Sequence, residues 1–159
     1  MSLPVAHRPI RCYADRRLLG AAIDLSRLSP PSPTHYAVGA VITDDTGAVL
    51  ATGYTGETDP SFHAEEAALA KLGPTARPFT VYTSLEPCTV RRSRPAPCTE
   101  LILAAGVRRV VLALREPPLF ADCHGVETLR RNGVEVREFA DLGHRVRRLN
   151  AHLPGLATP

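Results

Sequence analysis

Three short stretches of this 159-residue chain carry side chains suited to metal chemistry. His63 and Glu65 stand two residues apart, Cys88 follows Pro87, and Cys98 comes further along the chain. One imidazole and two thiolates form a three-ligand zinc set that leaves a fourth tetrahedral position for water. Zinc lowers the pKa of such a water from about 15.7 toward about 7, which makes a nucleophile available at neutral pH. The sequence therefore predicts a catalytic zinc site at His63, Cys88 and Cys98.

Glu65 is the candidate for moving protons at this site. It lies two residues from His63 in what we expect to be the first turn of a helix, so its carboxylate reaches the water without being a ligand. A carboxylate placed there takes a proton from water and returns it to a ring nitrogen and a departing amine. A His-x-Glu motif followed by Pro-Cys and a second Cys is typical of zinc deaminases. The predicted reaction is hydrolytic removal of an amino group from a heteroaromatic ring.

Each of these motifs is weak when it is taken alone. A lone His-x-Glu at a helix start is usually a matter of capping and solvation, and a Pro-Cys dipeptide carries almost no information. Their joint order and their positions at element boundaries favour the catalytic interpretation. A structural zinc would need a fourth protein ligand, for which Cys123 and His124 are the candidates. Cys12 is predicted to be a buried core thiol.

Alternating helices and strands are expected to position these side chains. Hydrophobic periodicity and chain breakers predict helices at residues 10–28, 63–72, 97–105 and 126–132, and strands at 38–42, 49–54, 80–84, 109–114 and 134–139. The first two strands are expected to form a hairpin, and the order after it is typical of an α/β fold. We predict a three-layer α/β/α sandwich with a five-stranded mixed sheet, in which sites form beyond the carboxyl ends of strands.

Composition limits the class of protein. A hydrophobic share of 44% suits one globular domain, which we place at residues 1–150, followed by a loose tail at 151–159. The apolar runs are too short for a membrane helix, and no signal peptide is recognisable. We therefore expect a cytoplasmic protein with reduced cysteines and no membrane partner. A net charge of +3 is too small for a dedicated polyanion binder.

The motifs His63-Ala64-Glu65, Leu85-Glu86-Pro87-Cys88 and Pro97-Cys98 resemble those of the zinc-dependent, cytidine deaminase-like superfamily. The long gap between the cysteines is similar to that in the deaminase domain of the bifunctional riboflavin biosynthesis enzymes of the RibD type. The resemblance spans about residues 10–140, and we expect a stand-alone deaminase domain without the reductase domain of the bifunctional enzymes. It implies a cytidine deaminase-like fold, zinc as cofactor, a diaminopyrimidine ribotide as substrate together with water, and a homodimer.

The departures from that family concern the substrate more than the metal. Thr34-His35-Tyr36 stands where the family has Pro-Asn-Pro, and Thr89-Val90 stands where it has Ser-His. A site built around hydrogen bonds discriminates strongly through them, so recognition of a ribosyl phosphate is in question. Guanidinium groups match phosphate oxygens well, so the arginines between the cysteines are candidates for that contact. The residues that we expect to contact the substrate are His35, Tyr36, Arg91, Arg92 and Arg94.

Three other functions stay open at this point. The same chemistry on a free base, a nucleoside or a secondary-metabolite pyrimidine is the nearest alternative. A nucleic-acid-editing deaminase needs a positive channel and stacking aromatic side chains, against which 5% aromatic residues and a net charge of +3 argue. A non-catalytic zinc module has no use for a proton shuttle, so the presence of Glu65 argues against it.

Overall fold

A computed structural model describes residues 8–92, 94–120, 122–154 and 156. Its strands are β1 (Gly39–Thr43), β2 (Val49–Tyr54), β3 (Thr80–Leu85), β4 (Arg109–Leu114) and β5 (Glu135–Glu138). They form one sheet in the order β2-β1-β3-β4-β5. Strand β1 is antiparallel to both β2 and β3, whereas β3, β4 and β5 run parallel. The predicted five-stranded mixed sheet is confirmed.

Helices cover both faces of this sheet. They are α1 (Arg8–Leu25), α2 (Ala64–Leu69), α3 (Cys98–Ala104), α4 (Gly125–Arg131) and α5 (Gly143–Leu149). A Cβ on Gly39 would lie 1.9 Å from a carbonyl oxygen of α1, and one on Gly53 would lie 2.4 Å from a carbonyl oxygen of α2. Because Gly53 pairs with Ala40, the neighbour of Gly39, these two glycines face opposite sides of the sheet. The predicted three-layer sandwich is therefore confirmed.

A buried ion pair fastens α1 to the sheet. Arg109, the first residue of β4, donates to Asp15 of α1 over 2.7 Å, and the Tyr82 hydroxyl donates to the same carboxylate over 3.0 Å. All three side chains are buried, and burial is the main reason that the pKa of Tyr82 is raised to about 12. Buried charges are tolerated when they are paired and hydrogen-bonded, as they are here.

The end of the chain differs from the expectation of a loose tail at 151–159. Helix α5 was not predicted, because it spans barely two turns and is rich in arginine. Beyond it, Leu153 and Leu156 are each only 1% exposed and pack into the core. These two leucines tie the segment to the domain, whereas residue 155 and residues 157–159 lie outside the described part of the chain. The boundary at residue 150 stays a prediction.

The topology brings four chain segments to one edge of the sheet. Since β2, β3 and β4 point the same way and β1 runs opposite to them, the segments that follow these three strands meet the segment that precedes β1. In open α/β sheets this edge is where ligand sites form. Within the described residues, no helix is both long and apolar enough to cross a membrane.

Candidate active site

The three predicted metal ligands lie together at this edge. The Nδ1 atom of His63 is 3.5 Å from the Sγ atom of Cys88 and 3.4 Å from that of Cys98. The possible ligand atoms of the three residues all lie within 4.8 Å of one another. Both cysteines are buried, and His63 is partly buried. Residues that are far apart in sequence thus converge on one point.

Secondary structure fixes each of the three side chains. His63 precedes α2, and its carbonyl oxygen accepts from Ala67, so it is held at the first turn. Cys88 follows β3 by three residues, and Cys98 opens α3. The backbone N–H of Cys98 donates to the Cys88 sulfur over 3.2 Å, and Thr99 donates to the Cys88 carbonyl oxygen. The start of α3 therefore holds the loop that carries Cys88.

The donor set fits a tetrahedral zinc ion. Zinc–sulfur and zinc–nitrogen bonds of ordinary length, at a tetrahedral angle, place sulfur and nitrogen about 3.5 Å apart, which agrees with the distances from His63 to the two thiols. Among the described residues, no fourth His, Cys, Asp or Glu joins the cluster. The Cys123 thiol donates to the Pro87 carbonyl oxygen instead, over 3.3 Å. The potential metal site therefore has three protein donors, as a catalytic zinc site does.

The two ligand thiols have very different acidities. A hydrogen bond from Cys98, assisted by His63 and by the Cys98 backbone, lowers the pKa of the Cys88 thiol to about 4. The same contact, together with burial, raises the pKa of Cys98 above its ordinary value. The pair thus holds one thiolate readily and shares the remaining proton. Since thiolates are the metal-binding form, a cation in this position takes the place of that proton.

Glu65 lies beside the metal cluster without joining it. The side chain is 3% exposed and lines the same cavity as His63 and Cys88. Its Oε1 atom is 2.8 Å from the hydroxyl of Thr83 on β3. Burial raises the pKa of the Glu65 carboxyl above its ordinary value. A carboxyl group held in this way is suited to exchanging a proton with a ligand in the cavity.

A cavity of about 400 Å³ opens onto this cluster. Its lining residues come from this sheet edge: Thr34, His35, Tyr36 and Val38 before β1, Thr55, His63 and Glu65 between β2 and the first turn of α2, Leu85, Glu86, Cys88, Val90, Arg91 and Arg92 at and after the end of β3, and Glu116 and Phe120 after β4. This volume falls in the range of small-molecule sites. The wall contains both apolar and charged side chains, so the cavity suits a ligand that has both a ring and polar substituents.

The structure places His35 and Tyr36 on the cavity wall, where the sequence predicted substrate contacts. His35 contacts the hydroxyls of Ser32 and Thr34 through Nδ1, at 3.1 and 2.9 Å. Burial, assisted by the charges of His63 and Arg91, lowers the pKa of His35. The Tyr36 hydroxyl donates to a backbone carbonyl oxygen of the wall over 3.1 Å, and burial raises its pKa to about 12.

The three arginines between the cysteines have different surroundings. Arg91 lines the cavity, but its side chain is only 2% exposed and its guanidinium donates to Glu66 of α2 over 2.8 Å. Arg94 also donates to Glu66, over 3.2 Å, and lies over the ring of Phe62 with its guanidinium carbon 4.5 Å from the ring centre. The structure does not bring Arg94 to the cavity. Arg92 is exposed and lines the cavity, so it is the arginine best placed to meet a ligand.

Sequence reasoning missed several groups in the wall, among them Glu116 and Phe120. Glu116 follows β4, and burial raises its pKa to about 7, while Phe120 lies further along the same loop. The neighbouring Glu86 holds this wall, because its two carboxylate oxygens accept from the backbone N–H groups of Glu116 and Val126 at 3.0 and 2.9 Å. The rule that located Cys88 beyond β3 applies equally to the segment beyond β4, and that signal was available in the sequence.

Comparisons with known proteins agree with this arrangement. A family model described as the cytidine and deoxycytidylate deaminase zinc-binding region matches residues 13–114. The chain is 35% identical over 131 residues to a diaminohydroxyphosphoribosylamino-pyrimidine deaminase of Schizosaccharomyces pombe, covering 79% of this chain and 32% of that protein. It is 37% identical over 126 residues to the riboflavin biosynthesis protein RibD of Aquifex aeolicus, covering 77% and 34%. The chain thus spans about a third of the length of these relatives.

Solved structures share the fold. The Rib2 deaminase of Aspergillus oryzae, in complex with DARIPP, superposes with a TM-score of 0.76 at 22% identity, covering 90% of this chain and 93% of that one. A diaminohydroxyphosphoribosylaminopyrimidine deaminase/5-amino-6-(5-phosphoribosylamino)uracil reductase of Thermotoga maritima superposes with a TM-score of 0.69 at 31% identity, covering 86% and 39%. In the longer protein the matched part is therefore less than half of the chain.

Proposed function

Since the chain belongs to the cytidine and deoxycytidylate deaminase zinc-binding family, we propose that it is a zinc-dependent hydrolytic deaminase of an aminopyrimidine, with a diaminopyrimidine ribotide as the first candidate substrate. The observation that carries this proposal is the position of Glu65, buried in the wall of the cavity that His63 and Cys88, two of the three clustered donors, also line. The substrate is the one printed in the names of the Schizosaccharomyces pombe and Thermotoga maritima relatives.

In this proposal His63, Cys88 and Cys98 hold the zinc ion. When bound, zinc supplies Lewis-acid activation of water at neutral pH. The chain's own part is to hold one imidazole and two thiols in place and to leave one side of the cluster open to the cavity. Cys88 and Cys98 are buried, so charge interactions at the cluster are screened less than in bulk water.

Glu65 moves the protons of the reaction. Its carboxylate accepts a proton from the attacking water and delivers one to the ring nitrogen beside the carbon under attack. The new carbon–oxygen bond forms while the ring nitrogen gains that proton. The exocyclic carbon–nitrogen bond then breaks, the amine leaves as ammonia after it takes up the second water proton through Glu65, and the carbon is left as a carbonyl. The water thus supplies the carbonyl oxygen and two protons, one of which goes to the ring nitrogen and the other to the ammonia.

Two sets of side chains are proposed to receive the rest of the substrate. His35 and Tyr36 form part of the wall against which the ring or its sugar lies. Arg92 is the candidate partner for a phosphate, because it is exposed at the cavity. Arg91 and Arg94 are less suited to that contact, since both donate to Glu66.

A second candidate is a deaminase of an unphosphorylated base or nucleoside. The observation that favours it is that Glu66 engages two of the three arginines that were expected to bind phosphate. We further propose a homodimer without a nucleic-acid partner, and action in the cytoplasm, where cysteine ligands stay reduced. Sedimentation of the zinc-loaded protein tests the dimer.

The decisive experiment is an ammonia-release assay. Zinc-loaded protein is given the diaminopyrimidine ribotide, its dephosphorylated form, cytosine, cytidine and guanine, and each assay is repeated with Glu65→Gln. We expect turnover of an aminopyrimidine that falls by about a thousandfold in Glu65→Gln, at unchanged zinc content. Turnover of unphosphorylated compounds alone would select the second candidate. Full activity of Glu65→Gln, or protein that does not retain zinc, would refute the mechanism.

A further inference from the structure

Two exposed apolar side chains stand at the cavity. Among the described residues, the exposed large hydrophobic side chains are Ile10, Tyr13, Leu28, Val49, Leu50, Val90 and Phe120. Val90 is 60% exposed and Phe120 is 44% exposed, and both line the cavity that contains Glu65. Single exposed hydrophobic residues need no explanation, but apolar groups gathered at one polar-rimmed cavity indicate a ligand-binding surface.

Phe120 rests on a rigid support. Its ring packs edge to face against that of Tyr36, with 5.1 Å between the ring centres and 66° between the planes. Tyr36 itself is only 7% exposed, and its hydroxyl is tied to the Pro117 carbonyl oxygen. Tyr36 thus fixes the Phe120 ring while much of that ring stays uncovered. A preorganised aromatic surface of this kind loses little conformational entropy when a planar ligand covers it.

The two side chains come from different loops. Val90 belongs to the loop that follows β3, which also carries Cys88, and Phe120 belongs to the loop that follows β4. Because β3 and β4 are adjacent and parallel, these loops leave the sheet at the same edge. Both side chains therefore line the same cavity as Glu65 and the two donors His63 and Cys88. The occupant that this geometry suits is the heteroaromatic ring itself.

We propose that Val90 and Phe120 form an apolar rim that contacts the planar ring of the substrate and sets its affinity, with Tyr36 as the support. This rim depends on the proposed function in one respect, which is that the ring it contacts belongs to an aminopyrimidine. Ring stacking tolerates different substituents because every heteroaromatic base has a π-face. This chain therefore recognises the ring as a class, whereas its polar wall selects among ring substituents.

The kinetic test compares Phe120→Ala with Val49→Ala. Val49 is 53% exposed on β2 and does not line the cavity, so its truncation controls for the loss of an exposed apolar side chain. For the aminopyrimidine that the ammonia-release assay identifies, we expect Phe120→Ala to raise KM about tenfold while kcat stays within about twofold. Phe120→Tyr should restore KM. Val90→Ala should raise KM by a smaller factor. An unchanged KM in Phe120→Ala would overturn the proposal.

A second test does not depend on turnover. The chain contains no tryptophan, so Phe120→Trp places a single indole at the rim and Val49→Trp places one away from it. Each variant is titrated with cytosine and with uracil, and tryptophan emission is recorded. We expect saturable quenching in Phe120→Trp and only linear, non-saturable quenching in Val49→Trp.

The two tests separate this rim from the proposed reaction. If zinc-loaded protein releases ammonia from no aminopyrimidine and Phe120→Trp is still quenched saturably, the reaction is refuted and the rim stands. If Phe120→Trp shows no saturable quenching, or only the linear quenching of Val49→Trp, the rim is refuted whatever the enzyme does.

Discussion

At the scale of single residues, the Thr83 hydroxyl is placed to serve Glu65 in both of its protonation states. The hydroxyl lies 2.8 Å from Glu65 Oε1 and 3.0 Å from the Leu85 carbonyl oxygen, and it has only one proton to donate. When Glu65 is ionised, Thr83 donates to the carboxylate. When Glu65 is protonated, the carboxyl donates to Thr83, which then donates to Leu85. A hydrogen bond is therefore kept throughout a proton-transfer cycle.

This arrangement gives a first prediction for Thr83→Val. The substitution keeps the shape of the side chain and removes the hydroxyl, so Glu65 loses its partner and its fixed orientation. We expect kcat to fall by about tenfold, at unchanged zinc content, in the ammonia-release assay. Thr83→Ser keeps the hydroxyl and is the matched control, for which kcat should stay within about threefold. Equal activity in the valine and serine variants would show that the hydroxyl has no part in positioning Glu65.

At the scale of elements, Glu66 fastens the loop between the two cysteines to α2. It accepts from Arg91 and Arg94, while Arg91 also donates to the carbonyl oxygen of Ser61, two residues before His63. One buried guanidinium thus connects the loop that carries the thiols with the segment that carries the imidazole. The contact positions the metal ligands without touching the metal.

A second prediction follows for Glu66→Gln. The substitution removes the carboxylate partner of a buried guanidinium, and breaking such a pair costs about 3 kcal/mol in the free energy of unfolding. Glu127→Gln is the control, because Glu127 and its partner Arg115 are both 46% exposed, where the cost is below about 1 kcal/mol. Urea denaturation of the zinc-loaded variants measures both. Equal losses in the two variants would mean that the Glu66 pair is no more than a surface contact.

The same loop shows how far sequence reasoning reaches. The ligand triad could be predicted, because a motif fixes His63 and Cys88 at the ends of elements that the hydrophobic pattern already locates. The partner of Arg91 could not be predicted, since Glu66 lies 25 positions away and the chain has 16 Asp and Glu residues that match equally well on charge. Two of the arginines that were expected to contact a phosphate, Arg91 and Arg94, therefore donate to Glu66 instead. The role of such an arginine depends on which side chain it meets in the folded structure, and the local sequence pattern does not show this.

The end of the chain shows the same limit. Helix α5 has too few turns for a periodic pattern, and the burial of Leu153 and Leu156 depends on a groove formed by distant parts of the chain. The first helix and the strands were within reach, because apolar runs and chain breakers mark where they begin and end. Short segments that bury one or two side chains carry no such signal.

At the scale of the whole molecule, the metal site joins elements that are otherwise linked only through the sheet. His63 begins α2, Cys88 follows β3 and Cys98 begins α3, and 35 positions separate the first ligand from the last. An ion bound by all three restrains these elements in the folded state, while the unfolded chain holds no such site. The free energy of metal binding therefore adds to the free energy of unfolding of the domain.

Metal removal should accordingly lower the thermal stability of the whole domain. At zinc concentrations near a thousand times Kd, binding to the native state adds about 4 kcal/mol, which corresponds to a Tm shift of about 10 °C in a chain of this size. We expect that fall when the protein is treated with a chelator, and recovery when zinc is returned. His63→Ala should have a low Tm that the chelator does not change, because the variant has lost one of the three donors. A Tm within about 2 °C of the loaded protein after complete removal of zinc would show that the ion does not stabilise the fold, and that α2, β3 and α3 are held in place by their packing alone.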